Sequence, residues 1–281
     1  MQIFKDKVAI VTGGASGIGR MLCEELASHG ATVIVADRNQ AGAGHVANVI
    51  RERGGHAAAR HVDVTNEADV RRLIDDTVRE HRHLDYMFNN AGTAAAGDFR
   101  DIRTEHWRSV IDVNLWGVIY GTTYAYAVMV RQGAGHIVNI ASVGGLLPFP
   151  SSIPYATTKH GVVGLSSSLR LEAADLGVKV SVVCPGFVET NLKHTAAMVN
   201  LPRDQTNALV PSYMDSREAA RAALRGVARN RGVIVFPTIG RVLWALYRIN
   251  MALVLPGMRK TVRNFRALRM QARTQSVAVK P

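Results

Sequence analysis

Short apolar runs alternate along this chain with longer stretches in which apolar residues return every three or four positions. The runs at 8–11, 32–36, 57–62, 86–88, 136–140, 179–183 and 233–236 have strand length. The stretches near 18–29, 41–53, 67–81, 104–131, 155–175 and 216–229 carry helical periodicity. Parallel neighbours need crossover connections, and these are right-handed, so the alternation implies a parallel sheet with helices on both faces. The expectation is an α/β doubly wound sheet of about seven strands. The alternation stops near 237–240, which sets 1–240 as one main domain and 241–281 as an extension of different character.

Composition changes this picture at one end. With 47% apolar residues in 281, the chain can bury one sizeable core. The net charge of +12 is local. Thirteen of the 34 lysines and arginines follow Glu218, where no acid occurs, leaving 21 against all 22 acids before it. A body of net charge −1 and a tail without a recognised reading motif argue against nucleic acid as a partner. The two cysteines, Cys23 and Cys184, lie far apart among apolar neighbours and read as reduced core thiols. The first strand starts too early for a secretory leader ahead of it, so the expected location is cytoplasmic.

The tail supports two readings. "RVLWALYRINMALVLP" is apolar from Val242 to Leu255 apart from Arg248 and Asn250, but too short and too charged to span a bilayer. Beyond Pro256 and Gly257, helical spacing puts Met258, Val262, Phe265 and Leu268 on one face and Arg259, Lys260, Arg263 and Arg266 on another, with Arg269 breaking the apolar side. A basic amphipathic segment of this kind either lies on a membrane surface, through 241–270, or covers a cleft or a partner subunit.

The chemistry begins at "VTGGASGIGR", residues 11–20, where a strand meets a helix. Gly13, Gly17 and Gly19 let phosphate oxygens approach the unpaired N–H groups of the helix start, with Ser16 and Ile18 between them. The stretch is no Walker loop, because Arg20 and Met21 stand where Lys and Ser/Thr are required. Asp37 closes the second strand, where a carboxylate accepts from both ribose hydroxyls and repels a 2′-phosphate. Arg38 beside it favours that phosphate, but the loop has Ser16 where a second cation would help. NAD is the expected cofactor, with NADP the alternative.

Tyr155 and Lys159 in "SIPYATTKHG" share one helix face. A phenol acting near neutral pH needs its pKa lowered by about three units, ~4 kcal/mol. One ammonium ~4 Å away supplies about that much at an effective dielectric of ~20. Ser142 ends the fifth strand, Asn114 lies in the long helix before it, and "NNAG", residues 89–92, ends the fourth. In a parallel sheet all would border one crevice beyond the carboxyl ends of the strands. No metal is called for, and His160 reads as structural.

With "TGGASGIG", "DVT" at 63–65, "NNAG", Asn114, Ser142, "YATTK" and "PGFVET" in this order, residues 7–237 resemble the short-chain dehydrogenase/reductase family. The resemblance implies a Rossmann-type, NAD(P)-dependent oxidoreductase. It implies that Asp63 and the Val64 backbone hold adenine, that Asn90, Ala91 and Gly92 line the cofactor cleft, and that Pro185, Gly186, Val188 and Thr190 position the nicotinamide. By the same resemblance Tyr155 is the acid/base, Ser142 binds the substrate oxygen, Lys159 binds the ribose and lowers the tyrosine pKa, and Asn114 holds a relay water. Apolar residues around the expected substrate cleft (94–96, 143–150, Phe187, Leu192, Met198, Leu201 and Leu209) suit a lipophilic secondary alcohol or ketone such as a sterol, terpenoid, acyl or aromatic compound. The alternative is that they are lid and core packing. A non-catalytic nucleotide-binding adaptor is a further alternative, against which the intact Ser142, Tyr155 and Lys159 stand. The helix over 114–130, apolar on nearly all faces, implies a homodimer or homotetramer.

Overall fold

The computed structural model describes residues 1–210 and 212–278. The last three residues of the predicted extension, Lys280 among them, lie outside the described residues. In chain order the elements are β1 (Val8–Thr12), α1 (Gly17–Ser28), β2 (Thr32–Asp37), α2 (Gln40–Glu52), β3 (His56–His61), α3 (Glu67–His81), β4 (Tyr86–Asn89), β5 (Ala95–Gly97) and α4 (Thr104–Ile111). A π turn (Asp112–Trp116) leads into α5 (Gly117–Gln132), followed by β6 (Gly135–Ile140), α6 (Ile153–Glu172), β7 (Val178–Pro185), α7 (Leu192–Thr195), β8 (Ala197–Val199), α8 (Arg203–Ala208) and α9 (Ser216–Ala228). The chain continues through β9 (Val233–Phe236), α10 (Thr238–Ile249), a 3₁₀ turn (Met251–Leu253) and α11 (Leu255–Ala278).

Seven strands form one parallel sheet in the order β3-β2-β1-β4-β6-β7-β9. This is the doubly wound, Rossmann-type architecture expected from the alternation. The strand order reverses between β1 and β4, which opens a crevice at their carboxyl ends. Every residue of β1 and β4 is buried, as strands covered on both faces must be. Leu22 and Leu26 of α1, Val46 and Ile50 of α2 and Leu224 of α9 pack in one core cluster. Ile74 of α3 and Ala125 and Met129 of α5 build a second. A third joins Val162 of α6, Cys184 of β7 and Val235 of β9. β3, at the edge, carries His56, Arg60 and His61 and is only partly covered, which discourages edge pairing.

An ion cluster fastens α9 to α1. Arg217 donates to Glu25 at 2.7 Å and to Glu24 at 2.5 Å, Arg221 donates to Glu25 at 2.9 Å, and both carboxylates are buried. Burial alone would raise both glutamates. Hydrogen bonds outweigh it and hold them below their ordinary value, from Arg20, Arg217 and Arg53 for Glu24 and from Arg221 and Arg217 for Glu25.

Three local features depart from the periodicity. The helix expected over 104–131 is interrupted by the π turn, and that expected over 155–175 ends at Glu172 before a 3₁₀ turn at Ala174–Leu176. β5 and β8 pair as a separate parallel ribbon, Ala95 with Ala197 and Gly97 with Val199. Three-residue strands leave no periodic trace in a sequence.

The tail folds back on the body. Met258, Val262, Phe265 and Leu268 are half-buried, while Arg259, Lys260, Arg263 and Arg266 are exposed. Arg269 is not an interruption of the apolar side: it is buried and forks onto Asp101, through Nε to Oδ2 and through Nη2 to Oδ1 at 2.8 Å. Arg266 lies 3.6 Å from Asp98. The apolar face of α11 is therefore used against the protein, next to the loop joining β5 to α4.

Candidate active site

The glycine turn follows β1 because only glycine fits its geometry. Gly13 and Gly17 have φ of +66° and +52°, in the left-handed region. A Cβ on Gly19 would lie 2.1 Å from the Gly13 carbonyl oxygen and 2.4 Å from Asn90 Nδ2. Ser16, the N-cap of α1, is extended and its side chain caps no N–H of that helix. The first turn, which includes Ile18, thus keeps donors aimed outward, as an anionic diphosphate requires. Ile18 itself packs against the first core cluster.

Asp37, at the tip of β2, accepts from Ala15 N at 3.0 Å and from Asn39 N at 2.9 Å. Its carboxylate therefore stands beside the turn and braces it. Arg38 is exposed and within electrostatic reach of Asp63. Asp63 accepts from Thr65 N at 2.9 Å and Thr65 Oγ1 at 2.8 Å, and it is held below the usual carboxylate range chiefly by the Thr65 N–H. Val64 is buried against Gly117 of α5.

The loop after β4 is tied to the glycine turn by a residue that spacing alone did not single out. Thr12 Oγ1 accepts from Asn90 N at 3.0 Å and Ala91 N at 3.2 Å. Asn90 Nδ2 in turn donates to Thr12 O at 2.9 Å and Gly13 O at 3.3 Å, so Asn90 holds the turn in shape. Gly92 lies beside Asn114 Oδ1 and Lys159 Nζ. From the other side, Thr190 packs on Gly17, Gly186 N donates to Phe236 O at 2.7 Å, and Val188 bridges to Met214. Pro185 ends β7 and its carbonyl accepts from Ser142 Oγ at 3.4 Å.

The catalytic candidates meet at this crevice. Ser142 Oγ also accepts from Gly144 N at 3.1 Å, and its hydroxyl lies near enough to the Tyr155 phenol to favour the charged form. Lys159, one turn further along α6, is buried, donates to Ile140 O at 2.8 Å and sits 5.5 Å from the Tyr155 ring centroid. Asn114 is fully buried in the π turn and clamped to Thr93, accepting from its N–H at 2.8 Å and donating to its carbonyl at 2.9 Å. π turns are frequent at functional sites, and this one carries the asparagine. His160 is exposed on another face of α6, with Nδ1 2.9 Å from Ala156 O.

The electrostatics differ from the simple ammonium argument. Burial pushes the Tyr155 phenol up from its ordinary value, and the Ser142 hydroxyl only opposes that rise. Burial also brings the Lys159 ammonium down to about 8. In this geometry the lysine charge is spent on the Ile140 carbonyl, and low polarity dominates the phenol.

The expected substrate side is partly core. Leu146, Leu147 and Leu201 are buried, whereas Phe187 and Leu209 are exposed. An aromatic ladder leads away from Tyr155: Tyr155 to Phe149 at 6.2 Å, Phe149 to Phe187 at 5.9 Å and Phe187 to Tyr213 at 6.1 Å. Tyr213 went unnoticed in the sequence, where a lone aromatic in a loop carries no signal.

Comparison with known proteins agrees with this geometry. The short chain dehydrogenase family matches residues 7–199. A cyclohexanol dehydrogenase of Acinetobacter sp. (strain SE19) is 37% identical over 190 residues, 67% of this chain and 76% of its own. A short chain dehydrogenase/reductase from Burkholderia phymatum, solved in complex with NAD, superposes with a TM-score of 0.83 at 29% identity, covering 90% of this chain and 96% of its own. Levodione reductase superposes with a TM-score of 0.74 at 26% identity, covering 83% and 96%. The glycine turn, the strand order and the serine–tyrosine–lysine cluster thus occur in a chain that belongs to the short chain dehydrogenase family, and the protein is an oxidoreductase.

Proposed function

We propose that the enzyme transfers a hydride between NAD(H) and a lipophilic secondary alcohol or ketone. The observation that carries this reading is the convergence of Ser142, Tyr155 and Lys159 on one crevice next to the glycine turn. NAD, when bound, supplies the hydride chemistry; the chain supplies orientation and proton handling. Gly13, Ser16, Gly17, Ile18 and Gly19 would receive the diphosphate, and Asp37 the adenosine ribose. Asp63 and Val64 would flank the adenine, while Asn90, Ala91, Gly92, Pro185, Gly186, Val188 and Thr190 line the remainder. The Asp37 carboxylate, which would repel a 2′-phosphate, supports NAD over NADP, with exposed Arg38 beside it as the opposing feature.

In this mechanism Ser142 holds the substrate oxygen, and Tyr155 takes the hydroxyl proton in oxidation and returns it in reduction. Lys159 holds the nicotinamide ribose, and Asn114 keeps the loop at Thr93 beside it and serves the proton path. The ladder Phe149, Phe187, Tyr213 supports an apolar, ring-bearing substrate lying over Tyr155. The test is a screen of secondary alcohols against NAD and NADP, repeated with Tyr155→Phe. The variant should lose about 100- to 10,000-fold in turnover and keep its NAD affinity. Wild-type turnover in Tyr155→Phe would overturn the assignment.

We also infer a homodimer or homotetramer. Exposed Trp116, stacked on Tyr120 at 5.7 Å, and exposed Leu171 on α6 give the outer faces of α5 and α6 apolar surface for a second copy.

A further inference from the structure

We propose that α10 and the 3₁₀ turn after it form a peripheral docking surface for an anionic lipid bilayer. Three strips run along α10, each set by helical spacing. Gly240, Leu243, Trp244 and Tyr247 face the body: Gly240 is buried against Val143 and Val235, and Trp244 packs on the third core cluster. Ile239, Val242 and Ile249 form a second strip turned away from it, with half-buried Leu246 at its edge. With Met251 and Leu253 just beyond, the large residues Ile239, Val242, Ile249, Met251 and Leu253 are between 47% and 78% exposed. Arg241, Ala245 and Arg248 make the third strip, exposed and directly alongside the apolar one.

The surface is narrower than the 241–270 segment the sequence pointed to. The apolar side of α11 is half-buried against the body beside the Arg269–Asp101 fork, and among the described residues of the tail the cluster of exposed large apolar side chains lies on α10 and the turn after it. Charge decides the occupant. No acid follows Glu218, and the first turns of α11 add exposed Arg259, Lys260 and Arg263 to Arg241 and Arg248. A symmetric contact with a second copy would bring these cations against their own images. An anionic headgroup layer over hydrocarbon matches both strips at once. No described helix is long and apolar enough to cross a membrane, which makes the contact peripheral.

The experiment is flotation of the full chain with vesicles of phosphatidylcholine, with and without phosphatidylserine, at low and high salt. Wild type should float with the phosphatidylserine vesicles and be released by salt. Arg248→Gln should weaken partition roughly fivefold, and Ile249→Asp by more than tenfold. Both positions are exposed and remote from the glycine turn, so circular dichroism and thermal melting should match wild type and separate lost docking from lost folding. Equal flotation of wild type and Ile249→Asp on anionic vesicles would overturn the proposal. So would a wild-type oligomer that Ile249→Asp splits in light scattering without vesicles, because the strip would then be an interface between copies.

Discussion

Asp37 serves two neighbours at once. Its carboxylate accepts from Ala15 N in the glycine turn and, in the proposed function, receives the adenosine ribose. Asp37→Ala removes the carboxylate altogether, whereas Asp37→Asn keeps one acceptor oxygen for Ala15, replaces the oxygen that the Asn39 N–H reaches by an amide nitrogen, and removes the charge. We expect Asp37→Asn to narrow the preference for NAD over NADP about tenfold, since a charge-assisted hydrogen bond is replaced by a neutral one. The ratio of kcat/KM for the two cofactors measures this, and a wild type that already prefers NADP would give Arg38 the deciding role. At this scale the sequence was legible wherever chemistry needs a residue type at a spacing, as at Tyr155 and Lys159. It was silent on Thr12, whose hydroxyl ties the two cofactor loops, because a threonine ending a strand is ordinary. Spacing along a helix also says nothing of the polarity around the Tyr155 phenol, which burial pushes up from its ordinary value.

Between elements, the α1–α9 contact depends on Arg217, which reaches Glu24 and Glu25 together. Arg217→Met should cost roughly 1–2 kcal/mol, discounted because the guanidinium is partly exposed and each glutamate keeps another arginine. The sign with pH follows from the depressed pKa values of both glutamates. Their contribution is complete above the ordinary value of 4.5 and disappears as pH falls through the lower folded values. Thermal unfolding should therefore show wild type ahead of Arg217→Met at neutral pH, with the gap closing below 4.5. A constant gap down to strongly acidic pH would remove the ionic explanation. The sheet strands could be read in advance because burial on both sheet faces enforces apolar runs, and the longer helices because of their periodicity; the short α7 and α8 could not. The β5–β8 ribbon could not, since its pairing joins residues about a hundred positions apart and uses three on each side.

For the whole molecule, the exposed Trp116 and Leu171 predict association through α5 and α6. Light scattering at micromolar concentration should give at least a dimer, and Trp116→Glu should shift it towards monomer without unfolding it. A monomeric wild type would contradict this. The tail shows where sequence reading reached its limit: helical spacing gave the right apolar face of α11 but not the surface that would receive it. That surface depends on Asp101, more than 160 positions away from Arg269. The fork has a consequence for inheritance. The family model matches 7–199, while the tail is anchored inside that matched region, at 98–101. Grafting 241–278 onto a relative without aspartates at both loop positions should leave a buried guanidinium facing the wrong neighbour. The extension and the loop before α4 form one exchangeable unit, and chimeras should be cut accordingly.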